Sequence, residues 1–205
     1  MNFPNTLSVL RIVLSPIFII LFLSNTPLYI QSSFIVYTIA ALTDWYDGWY
    51  ARKYGFKTKW GRFLDPLADK ILTSSALFCF YELKLKDPMI FGSNNIIPLG
   101  ILILVIILRD IILTIARSYK ELKGLEFKTS FISKTKTFIQ MCYIFIIIGF
   151  FAIAVTIPGT GTSNIIYKFL YSQFNYYLIL IITILTITSG FVYFFESRVP
   201  IKSEL

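Results

Sequence analysis

With 205 residues of which 56% are hydrophobic, 18% aromatic and only 15% charged, and a mean hydropathy of +0.72, the chain is too apolar for a soluble domain of its size. It reads as one all-α integral membrane domain spanning residues 1–205. The net charge of +8 comes from basic residues set beside apolar runs, a placement that suits anionic headgroups or phosphate substrates, so no nucleic-acid partner is expected. Histidine is absent. This removes Ser/His/Asp and Cys/His triads, His-ligated zinc and imidazole acid–base chemistry, and leaves carboxylate, Lys, Tyr or Cys as any general base.

In chain order, a first apolar run covers Leu7 to Leu23 and is interrupted by Arg11, Ser15 and Pro16. A signal peptide would carry its charge ahead of the apolar region and end in a small-residue cleavage site. Arg11 lies inside the run and Ser24 to Pro27 is a poor cleavage site, so the expectation is a retained transmembrane helix capped by Asn5 or Thr6. A second span, about Leu28 to Asp47, runs into the pair Asp44/Asp47. A third, from Asp65 to about Leu83, is expected to start with Asp65 as N-cap and Pro66 at the first helical position. Both are weakly hydrophobic yet close to the ~20 residues a bilayer requires. The fourth span runs from Ile96 to about Ala116, the fifth from about Thr137 to Ile157, and the sixth from Tyr176 to Phe195, with Pro158 to Asn164 as a turn region before the last. Cys79 and Cys142 sit inside apolar runs without metal-type spacing, and no disulfide is expected.

With six spans and the N-terminus inside, sixteen of the nineteen basic residues fall on one side and only Lys84, Lys86 and Lys168 on the other. The positive-inside rule then makes both termini cytoplasmic, with a polar active-site cavity at that face.

The segment from Asp44 to Asp69 carries four of the eleven acidic residues. At about 100° per residue, Asp44 and Asp47 point the same way from one helix, and Asp65 and Asp69 from the next. Four carboxylates can converge there, and their repulsion near apolar surroundings would be relieved by a hard divalent cation, Mg²⁺ or Mn²⁺. The plainer reading makes them caps and interfacial charges paired to Arg52 or Lys53. The small residues Gly48, Ala51 and Gly61 argue for ligand access, and Arg52 for a phosphate clamp, although glycines also serve helix packing.

The pattern Asp44-x2-Asp47-Gly48-x2-Ala51-Arg52-x8-Gly61-x3-Asp65-x3-Asp69 resembles, at every fixed position, the signature of the CDP-alcohol phosphatidyltransferase family. The resemblance implies a homodimeric bilayer enzyme of the cell membrane that moves a phosphatidyl group from a CDP-linked lipid to an alcohol and releases CMP. It further implies that Asp44, Asp47, Asp65 and Asp69 hold two Mg²⁺ or Mn²⁺ ions and that Asp69 takes the acceptor's proton. Gly48, Ala51, Arg52, Thr58 and Gly61 would line the nucleotide and diphosphate, with Asn5 reaching the nucleotide.

A second basic cluster bears on the acceptor. Most of its charges serve topology, but Arg109 lies deep in an apolar run and needs a partner. Asp110 is expected to serve imperfectly, because adjacent residues diverge around a helix, so a buried anion is the better candidate. LRDIILTIARS followed by FISKTKTFIQM is similar to bacterial phosphatidylglycerophosphate synthases, with Asp110 and Ser133 standing where those have Glu and Gly. That likeness implies CDP-diacylglycerol and glycerol 3-phosphate as substrates, the acceptor phosphate being held by Arg109, Arg117, Lys134 and Lys136. Phosphatidylglycerol or an inositol phosphate remains open as acceptor. A divalent-cation transporter is the reading from another class.

Overall fold

The computed structural model describes residues 3–24, 26–54, 59–86, 97–122 and 131–196, with the side chains of 3–5, 45, 47–54, 59–63, 84–86, 121–122, 131 and 194–196 left aside. Among the described residues all regular structure is helical: α1 Phe3–Leu23, α2 Pro27–Tyr54, α3 Lys59–Lys86, α4 Leu99–Leu122, α5 Phe131–Thr156, α6 Gly161–Leu170 and α7 Gln173–Glu196. The windows Thr6–Leu23, Leu99–Lys120, Ile132–Thr156 and Gln173–Tyr193 are long and apolar enough to cross a membrane. α2 and α3 are each 28 residues long but interrupt their apolar faces with charge.

Around an apolar core, several helices bury polar residues and expose apolar ones, unlike those of a water-soluble bundle. Ser8, Arg11 and Ser15 of α1 are wholly buried, while Val9, Leu10, Val13, Ile17 and Ile20 of the same helix are exposed. The same holds for Thr183, Thr186 and Ser189 against Ile181, Ile184 and Ile187 of α7. Where the surrounding solvent is hydrocarbon, apolar side chains face outward at no cost and polar ones turn inward to find partners. Aromatic rings pack between helices: Phe18 lies 5.4 Å from Tyr37, and Phe22 5.4 Å from Phe151, between ring centroids.

Contacts fix the relative directions of the long helices. Arg11 in the first half of α1 meets Asp44 in the second half of α2, Lys136 near the start of α5 meets Asp110 midway along α4, and Arg109 meets Ser189 late in α7. Charged residues of α1, α2, α4 and α5 thereby gather with Ser189 of α7 towards one end of the bundle.

Four local expectations are corrected. α1 begins at Phe3, so Asn5 and Thr6 lie within it and do not cap it. α2 continues past Asp47 to Tyr54, through residues with good helix propensity such as Ala51 and Arg52 that hydropathy alone would end early. α3 begins at Lys59 and passes through Pro66. Asp65 is therefore no N-cap, and its carboxylate receives the hydroxyl of Ser8 instead. Finally, the turn at Pro158 to Asn164 closes sooner than expected. Gly159 turns with φ of +76°, a conformation that favours glycine, and Thr160 caps the short α6 by accepting from the Ser163 amide at 3.2 Å.

Candidate active site

The centre of the site is α1, which packs along both α2 and α3 while those two touch each other only briefly. Its inward positions Ser8, Arg11 and Ser15 are three and four residues apart and so share one face. Arg11, with its side chain 0% exposed, donates to Asp44 of α2 at 2.6 Å. Ser8 donates to Asp65 of α3, and the Ser15 hydroxyl turns back to the Arg11 carbonyl at 2.9 Å. Asp69, one helical turn beyond Asp65, meets the ammonium of Lys70 at 2.9 Å. Asp65, Asp69 and Lys70 all act electrostatically on Asp44. Three carboxylates of the Asp44 to Asp69 pattern therefore share one neighbourhood, with α1 between the two helices that carry them.

Among the described residues, no group of three or more acidic or cysteine side chains is arranged to hold a metal ion. The donor chemistry nevertheless suits one: several carboxylates acting on one another, all hard oxygen donors, with no imidazole or nearby thiolate to favour a softer metal. By backbone position Asp47, Gly48, Ala51 and Arg52 lie on α2 and Gly61 on α3, but their side chains, that of Asn5, and Thr58 altogether lie outside the described residues.

A second charged cluster lies at the same end. Asp110 of α4 has a side chain 3% exposed and binds Lys136 of α5, itself 1% exposed, through both oxygens at 2.6 and 2.7 Å. Arg109 bonds the same carboxylate at 3.0 Å and reaches Ser189 of α7 at 2.6 Å. The expectation that Asp110 would serve Arg109 poorly is thus corrected. The argument from helix geometry concerns Cβ directions, whereas the long arginine stem curls around the helix to its neighbour. Arg117 donates to Ser133 of α5 at 3.2 Å and stacks over Tyr193 with its carbon 4.9 Å from the ring centroid. Lys134 is exposed on α5, off the face that buries Ser133, Lys136 and Gln140, and is not brought to the Asp110 cluster. Lys70, whose ammonium is 2.9 Å from Asp69, acts electrostatically on Asp110 and Lys136 as well as on Asp44.

The sequence profile of the CDP-alcohol phosphatidyltransferases matches residues 1–188. The chain belongs to the CDP-alcohol phosphatidyltransferase family. Among similar family members, the protein of Rickettsia bellii (strain RML369-C) is 33% identical, over 94% of this chain and 93% of its own. That of Wigglesworthia glossinidia brevipalpis is 40% identical over 71% and 75%, and that of Bacillus subtilis (strain 168) 27% identical over 99% and 98%. All three carry the name CDP-diacylglycerol–glycerol-3-phosphate 3-phosphatidyltransferase.

Sequence reasoning about this phosphatidyltransferase missed Ser8, Arg11, Lys70 and Ser189. For the first two a signal existed in the three- and four-residue spacing of Ser8, Arg11 and Ser15 within an apolar run. Ser189 had none, since hydroxyl residues recur along α7.

Proposed function

We propose that this enzyme transfers the phosphatidyl group of CDP-diacylglycerol to the free primary hydroxyl of glycerol 3-phosphate, giving phosphatidylglycerophosphate and CMP. The observation that carries this reading is the presence, in one helical bundle, of an acidic cluster, Asp44, Asp65 and Asp69, and a buried cationic cluster around Asp110, with Lys70 acting electrostatically on both. Relatives named for this reaction match nearly the whole chain.

On this reading the acceptor's phosphate is bound by Arg109, Arg117 and Lys136, with Lys134 at the periphery, and its free hydroxyl faces Asp69. Asp69 accepts the hydroxyl proton as the oxygen attacks the phosphorus that bears the diacylglycerol. The new O–P bond forms while the bond from that phosphorus to the CMP oxygen breaks, and the electron pair leaves with CMP. Gly48, Ala51, Arg52, Thr58 and Gly61, with Asn5, line the CDP moiety, Arg52 offering the bidentate geometry that suits a diphosphate. Asp44, Asp47, Asp65 and Asp69 hold two Mg²⁺ or Mn²⁺ ions, which when bound supply neutralisation of charge on the transferring and leaving oxygens. α2 and α3 cross the cell membrane along with the four more apolar spans, both termini are cytoplasmic, the site opens to the cytoplasm, and the enzyme works as a homodimer among membrane lipids.

The test is CMP release by the purified protein supplied with Mg²⁺ or Mn²⁺, CDP-diacylglycerol and glycerol 3-phosphate. Phosphatidylglycerophosphate is the expected product. Absence of CMP with every acceptor would remove the transferase reading of this site, and release only with phosphatidylglycerol or an inositol phosphate would reassign the acceptor.

A further inference from the structure

A fully buried arginine in the first apolar helix needs a reason. Arg11 is 0% exposed, so it cannot reach the headgroup layer as an arginine at the end of a membrane helix does by snorkelling, and a charge held among helices is expected to answer another. Its answer is Asp44, at 2.6 Å. One turn earlier on the same face, Ser8 donates to Asp65. A single stripe of α1 thus holds one carboxylate from each of the two helices that carry the acidic pattern, and α2 and α3 are the helices along which α1 mainly packs.

We infer that Arg11 is the resident counter-ion of this carboxylate site, holding Asp44 in competition with a divalent cation and yielding it when the cation binds. The inference rests on the proposed role of Asp44, Asp65 and Asp69 as cation ligands, and deepens it. A carboxylate oxygen engaged by a guanidinium at 2.6 Å gives that donor one of its lone pairs, and a doubly charged ion placed at the same carboxylate repels the guanidinium. Arg11 therefore weakens the bound cation, while it spares the acidic cluster its own repulsion before the cation arrives. Ser8 acts in the same sense on Asp65, without charge and so more weakly.

The test is Mn²⁺ affinity of the full chain in detergent, with free Mn²⁺ counted by electron paramagnetic resonance, alongside melting temperature in EDTA and in Mn²⁺. A charge-assisted hydrogen bond contributes enough that its removal should tighten Mn²⁺ binding of Arg11→Gln by about ten- to a hundredfold. Arg11→Gln should also melt lower than the natural protein in EDTA and gain more from Mn²⁺. Arg11→Lys, which keeps the charge, should stay near the natural affinity. Unchanged or weaker Mn²⁺ binding by Arg11→Gln overturns the inference while leaving the cation site standing. If neither the natural protein nor Arg11→Gln binds Mn²⁺, the cation site itself fails and the inference with it. Should Arg11→Gln not fold, Ser8→Ala decides: affinity raised by about two- to tenfold, the effect of one neutral hydrogen bond, supports the competition, and unchanged or lower affinity overturns it.

Discussion

Lys136 and Asp110 form the most deeply buried ion pair among the described residues, with side chains 1% and 3% exposed and two contacts of 2.6 and 2.7 Å. Lys136→Met keeps an unbranched side chain one atom shorter and removes the ammonium. Asp110 then retains, among its described contacts, only the Arg109 bond at 3.0 Å. A buried pair broken from one side costs about 3–5 kcal/mol, because the remaining charge stays desolvated. For a chain of this size each kcal/mol moves the melting temperature by about 2–4 °C, so Lys136→Met should melt roughly 6–20 °C lower in detergent.

The double variant Lys136→Met/Asp110→Leu separates loss of the pair from loss of packing. It removes both charges, leaves Arg109 its bond to Ser189 at 2.6 Å, and should regain at least about 1 kcal/mol over Lys136→Met alone, since a buried pair exchanged for apolar groups is often neutral. Both variants should raise the KM for glycerol 3-phosphate much more than that for CDP-diacylglycerol. A melting temperature within about 2 °C of the natural protein for Lys136→Met, or single losses that simply add in the double variant, would refute the reasoning: the two residues would then not be coupled.

Asp69→Asn should abolish CMP release while CDP-diacylglycerol still binds by isothermal titration; retained turnover removes Asp69 as the base. Arg109→Ala should raise the glycerol 3-phosphate requirement more than that for CDP-diacylglycerol, and Ser189→Ala should do so more weakly, by about two- to tenfold, the effect of one neutral hydrogen bond that orients the guanidinium; equal changes in both substrates point to misfolding instead. Gly100→Ala tests the α3–α4 contact, because a Cβ there would come within 2.9 Å of the Tyr81 ring; a loss of about 1–3 kcal/mol in thermal unfolding is expected from such overpacking, and an unchanged melting temperature would mean that the ring moves aside freely.

Much of this fold could be read in the sequence because a bilayer imposes a simple demand, a continuous apolar run of ~20 residues for each helix that crosses it. Four of the long helices, α1, α4, α5 and α7, follow from those runs, and the Asp44 to Asp69 pattern identifies the family whose profile matches the chain. α6 escaped because Gly161, Thr162, Ser163 and Asn164 at its start have the composition of a turn, and only the capping geometry at Thr160 shows where the turn ends and the helix begins. Its ten residues are too few for periodicity to announce it.

The loss of Arg11 from the sequence reading has a different cause. Counting basic residues by side treats each charge as a marker of topology, which is sound for lysines in loops and wrong for a cation at 0% exposure. In a hydrocarbon solvent, the informative pattern on a helix is its polar minority, and Ser8, Arg11 and Ser15 mark the inward face of α1 as surely as an apolar stripe marks that of a soluble helix. The same reasoning applies to Asp110 of α4 and Lys136 of α5, because charges set in apolar helices need partners, and each is the other's. Partners across helices, however, depend on which helices touch, and α1 standing between α2 and α3 is a fact of packing that spacing along one chain does not contain. The acidic site is therefore a three-helix structure, and its third member, α1, is a helix whose sequence read only as a membrane span.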